Sequence, residues 1–209
     1  MKTEGLTVER RGFLVDFNEY VLSLGRLEDI YDTMIEMARI QPQDKVLDAG
    51  CGTGRLAVKV KERCPDAIVH GLDATEYMVQ KARNRNGFDG IIFIQGLVED
   101  MALFDESYDL MFSSYVFHHL PNHLKLAALL EAHRILKEDG RLILADYGRP
   151  TKWYGYLLSF PFRFNLVEYT RGQIHGILDE CIEEAGFSCV KMASVLGFIN
   201  IRELRKCNT

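Results

Sequence analysis

Two periods of apolar residues alternate along this chain. Short apolar runs recur, and between them lie longer stretches with apolar positions at every third or fourth residue. Parallel strands need helical crossovers to return to the same edge, so the order predicts strand and helix in turn. Lys45–Ala49 reads as a strand, Arg55–Arg63 as a helix, Ala67–Leu72 as a strand and Glu76–Arg85 as a helix. Ile91–Gln95 and Tyr108–Ser113 follow as strands, then Pro121–Lys137 as a helix and Arg141–Ala145 as a strand. Pro121 suits a first helical turn, and Gly140 suits a left-handed stop just beyond the helix. The unbroken apolar run Ile91-Ile92-Phe93-Ile94 suits a strand buried on both faces. The fold class predicted is α/β, a doubly wound sheet with helices on both faces.

The flanks add two features. Phe17, Val21, Leu24, Leu27, Tyr31, Met34 and Ala38 recur at helical spacing and predict an N-terminal helical cap over residues 1–40. At the other end, Tyr169–Ala185 reads as one helix stopped by Gly186. Two strand-like runs, Ser188–Ala193 and Leu196–Ile201, then predict an antiparallel pair at the sheet edge.

A length of 209 residues fits a single domain: the cap, a core over 45–147, and a 148–209 segment holding an aromatic-rich insertion, the helix and the strand pair. With 47% hydrophobic and 26% charged residues, disorder and fibrous repeats are excluded as classes. Thirty acidic against 25 basic residues leave a net charge of -5, which argues against nucleic acid as a partner. The five cysteines, Cys51, Cys64, Cys181, Cys189 and Cys207, have neither disulfide-scaffold nor metal-ligand spacing, so no metal is expected. Met1–Phe13 lacks the apolar stretch of a secretory signal, and no transmembrane run occurs. A reduced, cytoplasmic protein is the expectation.

The segment Val46-Leu47-Asp48-Ala49-Gly50-Cys51-Gly52-Thr53-Gly54 puts three glycines where the first strand gives way to a helix. In such folds ligands bind outside the carboxyl ends of the strands, and glycine lets them approach the backbone. A tight turn that merely happens to be glycine-rich is the plain alternative. Asp73 follows about twenty residues on, at the end of the second strand, where a carboxylate accepts hydrogen bonds from the two hydroxyls of a ribose. It also suits a helix N-cap, and the two roles are compatible. The glycines are spaced GxGxG; the dinucleotide fingerprint GxGxxG would need glycine where Arg55 stands. Asp48 would repel a pyrophosphate and suits an ammonium or sulfonium group.

With these residues in place, VLDAGCGTG resembles the first motif of the class I S-adenosylmethionine-dependent methyltransferases. The resemblance runs in register over about Lys45 to Ala145. HGLDATEYMVQKAR resembles the second motif, in which the acid, here Asp73, holds the ribose, Ala74 follows it along the cofactor and Met78 packs on adenine. FIQGLVEDMALFDESYDLMFSSYVFHHL resembles the third and fourth, so that Gly96, Leu97 and Val98 flank the base. Leu97 stands where the family often has an acid for the adenine amine; Glu99 or Asp100 could substitute, or packing and the Val98 amide alone could hold the adenine. AHRILKEDGRLILAD resembles the helix and strand that complete the core. The resemblance implies S-adenosylmethionine as cofactor, its methionine part along Gly50, Cys51 and Gly52 with Gly54 in the same binding turn, its ammonium near Asp48 or backbone carbonyls, and Ser113 close by. It also implies a Rossmann-like seven-stranded sheet whose last strand is antiparallel.

Methyl transfer is an in-line displacement, for which alignment is the largest contribution and a base is needed only if the acceptor loses a proton. His118 and His119, after the fourth strand, are the candidate catalytic bases, with local packing as the alternative; Tyr147 could reach the same cavity. The aromatic stretch Trp153–Phe164 suits a pocket wall, a lid, or a surface for a membrane or a second subunit. It points to a small, partly apolar acceptor. A regulator that binds the cofactor without turnover and a nicotinamide-dependent oxidoreductase are the competing readings.

Overall fold

The computed structural model describes residues 25–85, 90–160 and 168–207. The elements in order are α1 (Leu27–Ala38), β1 (Lys45–Ala49), α2 (Arg55–Arg63), β2 (Ile68–Asp73), α3 (Glu76–Arg83), β3 (Ile91–Gln95) and β4 (Tyr108–Ser114). A 3-10 turn (Phe117–His119) leads to α4 (Asn122–Ile135), β5 (Leu136–Tyr147), α5 (Trp153–Leu158), α6 (Glu168–His175), α7 (Ile177–Glu184), β6 (Phe187–Val195) and β7 (Ile199–Lys206). These strands form one seven-stranded sheet in the order β3-β2-β1-β4-β5-β7-β6. β1 to β5 run parallel, and β7 runs antiparallel to both its neighbours, so the last strand in the chain is the reversed one.

The strand order reverses between β1 and β4, paired through Val46↔Leu110 and Asp48↔Phe112, and a crevice opens at such a switch point. Helices cover both faces. Leu27, Ile30 and Met34 of α1, Leu56 and Val60 of α2, and Val79 of α3 bury into one face. Leu129 and Ile135 of α4 and Leu178 and Ile182 of α7 bury into the other. The expected apolar face of α1 is confirmed at Leu27, Tyr31, Met34 and Ala38, all buried, while Phe17, Val21 and Leu24 lie outside the described residues. Arg141 fixes the carboxyl end of α1: its Nε donates to the Ala38 carbonyl at 2.7 Å and its Nη2 to Asp44 at 2.9 Å. Those contacts satisfy a carbonyl that the helix itself leaves orphaned.

Several boundaries differ from expectation for identifiable reasons. Pro121 is the N-cap of α4 rather than its first helical residue. α4 passes straight into β5 at Leu136, and Gly140 does not take a left-handed conformation. It sits instead in a bulge, where the register jumps from Tyr108↔Leu136 to Leu110↔Arg141 and an added Cβ would come within 2.8 Å of the Lys137 carbonyl. The helix expected over Tyr169–Ala185 is two helices, broken at Gly176 with φ 97°. Arg149 lies against that glycine and donates from Nε to the His175 carbonyl at 2.9 Å, closing α6. β7 continues to Lys206 although its sequence turns charged after Ile201. Arg202 pairs with Asp179 at 2.7 Å, and Glu203 pairs with Arg39 at 3.1 Å, so these buried charges are neutralised within the sheet.

Phe93 of β3 is the internal prop of the glycine turn, with its ring against both Gly54 and Gly71. A Cβ on Gly71 would lie 2.6 Å from the Phe93 ring and 3.0 Å from the Cys51 sulfur. Gly71→Ala should therefore destabilise the chain by about 1–3 kcal/mol through overpacking. Urea unfolding followed by circular dichroism measures it as a lower midpoint with an unchanged slope.

Candidate functional site

The turn after β1 contains three left-handed glycines, Gly50 (φ 78°), Gly52 (φ 52°) and Gly54 (φ 78°). Two of them are also sterically required. A Cβ on Gly50 would fall 2.2 Å from Cγ2 of Val116, and one on Gly54 would fall 2.9 Å from the Phe93 ring. Around Gly52 there is open space within 4 Å, and this is the side from which a ligand can approach the backbone. The Gly50 and Cys51 amides both donate to the Leu72 carbonyl, at 2.7 and 2.9 Å, and tie the turn to the end of β2.

Asp48 and Asp73 brace this turn from two sides. Gly54, the N-cap of α2, has no side chain to satisfy the first helical amides. Asp48, buried in β1, does that work from below: its Oδ2 accepts from the Ala57 amide at 3.1 Å. Asp73 ends β2 and accepts from the Gly52 amide at 3.0 Å through Oδ2, and from the Thr75 amide and hydroxyl at 2.9 and 3.1 Å through Oδ1. The N-cap of α3 is Thr75, whose hydroxyl accepts from the Met78 amide, so the capping role considered for Asp73 belongs to its neighbour. Burial pushes the Asp73 carboxyl above the usual aspartate value, and its bonds from Thr75 and Gly52 offset this only in part. Burial and then the two carboxylates push the Cys51 thiol well up, so it stays protonated and takes no nucleophilic role.

The neighbouring strand ends complete the crevice. Met78 and Val98 are buried beside them, Ala74 follows Asp73, and the Gly96 amide donates to the Asp73 carbonyl at 2.9 Å. Leu97 is half-buried and bridged to Asp100 in a tight turn, which leaves Asp100 exposed at the edge. Ser113, at the end of β4, is buried and its hydroxyl has no hydrogen-bond partner among the described residues. Tyr115 follows with φ 57°, a left-handed aromatic residue held in place by its amide bond to the Ala145 carbonyl at 2.9 Å. Such a conformation costs about 1–3 kcal/mol and collects at functional sites.

The two histidines have distinct surroundings. His118 is buried, with Nδ1 3.0 Å from Oδ1 of Asp146, and its amide donates to Oδ2 at 3.2 Å. Burial works to raise the Asp146 carboxyl, but the charge and hydrogen bond of His118, and the Tyr147 amide, outweigh it and hold it below the usual aspartate value. The His119 ring lies 3.9 Å from that of His118 and is pushed down to about 3 by burial and by its neighbour, so it is neutral at working pH. Tyr147 lies 5.0 Å from the His118 ring and does reach the same cluster. Asp146 was not legible as a site residue; the available signal was an acid closing an apolar strand, as Asp48 and Asp73 do. Of the aromatic stretch, Trp153, Tyr154, Tyr156 and Phe160 are exposed on or beside α5, and residues 161–164 lie outside the described residues. A groove of about 670 Å³ between α7 and β6 lies at the far sheet edge and holds none of the predicted site residues. Among the described residues no cluster of metal-ligating side chains occurs.

The site thus offers a glycine cradle, a carboxylate facing it across the strand ends, and an apolar flank for a flat ring. A family model described as methyltransferase domain matches residues 40–194. The chain belongs to the class I S-adenosylmethionine-dependent methyltransferases. S-adenosylmethionine is the cofactor of this family of enzymes and of this member. An uncharacterized methyltransferase of Bacillus subtilis is 34% identical over 120 residues, 56% of this chain and 46% of that protein. A ubiquinone/menaquinone biosynthesis C-methyltransferase of Xanthomonas oryzae is 30% identical over 69% of this chain and 59% of its own length. The chain thus spans about half the length of the curated relatives named. In fold it resembles a TehB-like methyltransferase of Corynebacterium glutamicum, with a TM-score of 0.70 at 18% identity over 94% of this chain and 97% of that one.

Two buried groups beside the methyltransferase site yield measurable consequences. Lys125 of α4 is buried, with Nζ 2.7 Å from the Leu120 carbonyl. Burial lowers it from 10.5 to about 8, against the pull of Asp146 and Cys181. The folded chain therefore prefers the neutral amine, and stability should rise as pH climbs from about 8 towards 10.5. Relative to a Lys125→Met variant, which removes the titration, the rise should approach about 3 kcal/mol in urea unfolding at the two pH values. Gln173 of α6 is also fully buried, and among the described residues neither its amide oxygen nor its nitrogen has a partner. Gln173→Leu should raise the unfolding free energy by about 1–3 kcal/mol, seen as a higher urea midpoint.

Proposed function

We propose that this chain transfers a methyl group from S-adenosylmethionine to a small, partly apolar molecule. The observation that carries the reading is the left-handed turn Gly50–Gly54 with the Asp73 carboxylate bonded across it to the Gly52 amide. In this reading Asp73 grips the ribose hydroxyls, while Ala74, Met78, Gly96, Leu97 and Val98 enclose the adenine. Gly50, Cys51, Gly52 and Gly54 line the methionine part, and Asp48 and Ser113 face its ammonium.

The donor sets of this chain suit those roles in chemical detail. A carboxylate offers about four lone-pair sites, and Asp73 already fills three with Gly52 and Thr75. A two-hydroxyl grip on ribose therefore requires one Thr75 bond to be released. Asp48 holds α2 through one oxygen, so an ammonium partner would meet a carboxylate already fixed in orientation.

When bound, the cofactor supplies a methyl group activated on a sulfonium sulfur. The protein's part is alignment, which is worth about 7–11 kcal/mol when two reactants are held in near-attack geometry. His118 and His119 stand at the edge of the crevice as candidate bases, and His119, pushed down to about 3 by burial, is a weak one. Tyr115 and Tyr147 pack beside the histidines, and α5 exposes further apolar rings. These rings support a partly apolar acceptor. The exposed rings of α5 are also the surface through which a second copy would dock. Among the described residues no helix is long and apolar enough to cross a membrane, and a cytoplasmic location is part of the proposal.

Calorimetry with S-adenosylmethionine and S-adenosylhomocysteine tests the reading. Asp73→Ala should weaken both by about 1.5–3 kcal/mol, roughly 10- to 150-fold in Kd. Because burial holds the Asp73 carboxyl above the usual aspartate value, affinity should begin to fall on acidification at a higher pH than an exposed aspartate would give. An unchanged Kd in the variant refutes the assignment, and binding without release of S-adenosylhomocysteine identifies a non-catalytic binder.

A further inference from the structure

We infer that the groove between α7 and the edge strand β6 is a second binding site, and that it takes a small molecule whose apolar chain ends in a carboxylate. The site stands apart from the cofactor turn and does not rest on the methyltransferase reading.

The argument begins with a guanidinium. Arg202 of β7 lines the groove and is 2% exposed. Its Nη2 pairs with Asp179 of α7 at 2.7 Å, whereas its Nη1 is buried and has no hydrogen-bond partner among the described residues. Buried donors are almost always paired, because an unpaired one forfeits the bond it made with water. Asp179 answers the charge of Arg202. What is still missing is an acceptor at Nη1.

The walls describe the rest of the ligand. Ile182 of α7 and Phe187 of β6 line the groove and are buried, and Val190 and Met192 line it at 54% and 53% exposure. β6 ends the sheet with β7 as its neighbour, and edge strands are normally blunted by charge rather than left apolar. The register shows how these side chains reach the groove. Cys189 pairs with Leu204 and Lys191 with Glu203, so Val190 is the extra residue of a bulge, a device that re-aims side chains. Met192 pairs with Arg202, and opposed residues of an antiparallel pair share a face, so an apolar side chain stands beside the guanidinium. One end of a ligand therefore meets a donor, and its body meets hydrocarbon.

Charge then selects the head group. The ionic side chains of the groove are Arg202 and Lys191 against Asp179 and Glu183, and they cancel. Such a lining exerts no net pull on a multiply charged anion such as phosphate. A carboxylate carries a single charge and its oxygens match the planar fork of a guanidinium. A volume of about 670 Å³ is that of a small-molecule site. The groove is also remote from the cofactor turn. β7, β5 and β4 lie between β6 and β1, and Ser188 in the groove aligns through Arg205 with Arg141, well short of the carboxyl end of β5.

Isothermal titration of the full chain with octanoate tests the site. One equivalent should bind; octanamide and octylammonium should bind more weakly, and inorganic phosphate should not compete. With methyl-¹³C-labelled methionine, octanoate should shift the Met192 signal. Arg202→Lys keeps a cation for Asp179 but loses the second nitrogen, and it should weaken octanoate by about 10- to 150-fold. Val190→Glu alters an exposed position without removing core packing, sets an acid against the chain, and should weaken octanoate as well. Both variants should keep the circular dichroism spectrum and the Kd for S-adenosylhomocysteine of the unaltered chain. If Arg202→Lys does not fold, Val190→Glu decides alone. Absence of saturable octanoate binding at millimolar concentration, a silent Met192 signal, octanamide binding as tightly, displacement by phosphate, or full affinity in the folded variants overturns the inference.

Discussion

Five residues between β1 and α2 hold three left-handed glycines, and the rest of the site depends on how tightly that turn is enclosed. Val116 presses on Gly50 from the segment just after β4, and Phe93 presses on Gly54 from β3. The turn therefore touches both halves of the sheet at the point where the strand order reverses. Only around Gly52 is the space open. Backbone permissiveness and side-chain crowding act together here: the conformation requires glycine, and the neighbours would require it even if the conformation did not.

Acids near strand ends do three different jobs on the same edge of the sheet. Asp48 caps α2 because Gly54 cannot. Asp73 braces the turn through Gly52, and Asp146 orients an imidazole. Each is at least largely buried, and each is satisfied by backbone amides, the arrangement that makes a buried carboxylate tolerable. Their environments nonetheless push them apart. Asp73 has only neutral donors and is raised, whereas Asp146 has an imidazole partner and is lowered. The difference suits one to give up a bond for a ligand and the other to keep its charge.

The strands and helices of the core were legible because their signals are local. The boundaries of β1, α2 and β3 follow directly from apolar runs and glycine punctuation. Local signals failed at the Asp73 cap, which is Thr75, and at β3, an edge strand with Ile92 exposed rather than a strand buried on both faces; the other failures involve partners distant in sequence. β7 looked finished at Ile201, since nothing nearby reveals that Asp179 and Arg39 come to neutralise Arg202 and Glu203. Gly140 looked like a helix stop, yet it serves a bulge whose register is dictated by β4. The break at Gly176 depends on Arg149 arriving from the loop after β5. Asp73, Met78 and the glycine turn could be read within one βαβ unit, whereas the bond between His118 and Asp146 joins two strands across a helix.

This division follows the chemistry of the two ligands. The cofactor half of the site is built from β1, β2, β3 and the turns immediately after them, so its residues keep fixed spacings and a shared ligand leaves a shared pattern. In the proposed reading the acceptor half draws on the ends of β4 and β5, the 3-10 turn and α6, which meet only when the sheet is assembled. Tyr115 is left-handed there, and Gln173 of α6 is buried with no partner among the described residues. Polar groups left unsatisfied at one end of an otherwise well-packed sheet cost stability that a core has no reason to give up. Gln173 bears that cost on α6, the helix that packs on the histidine turn.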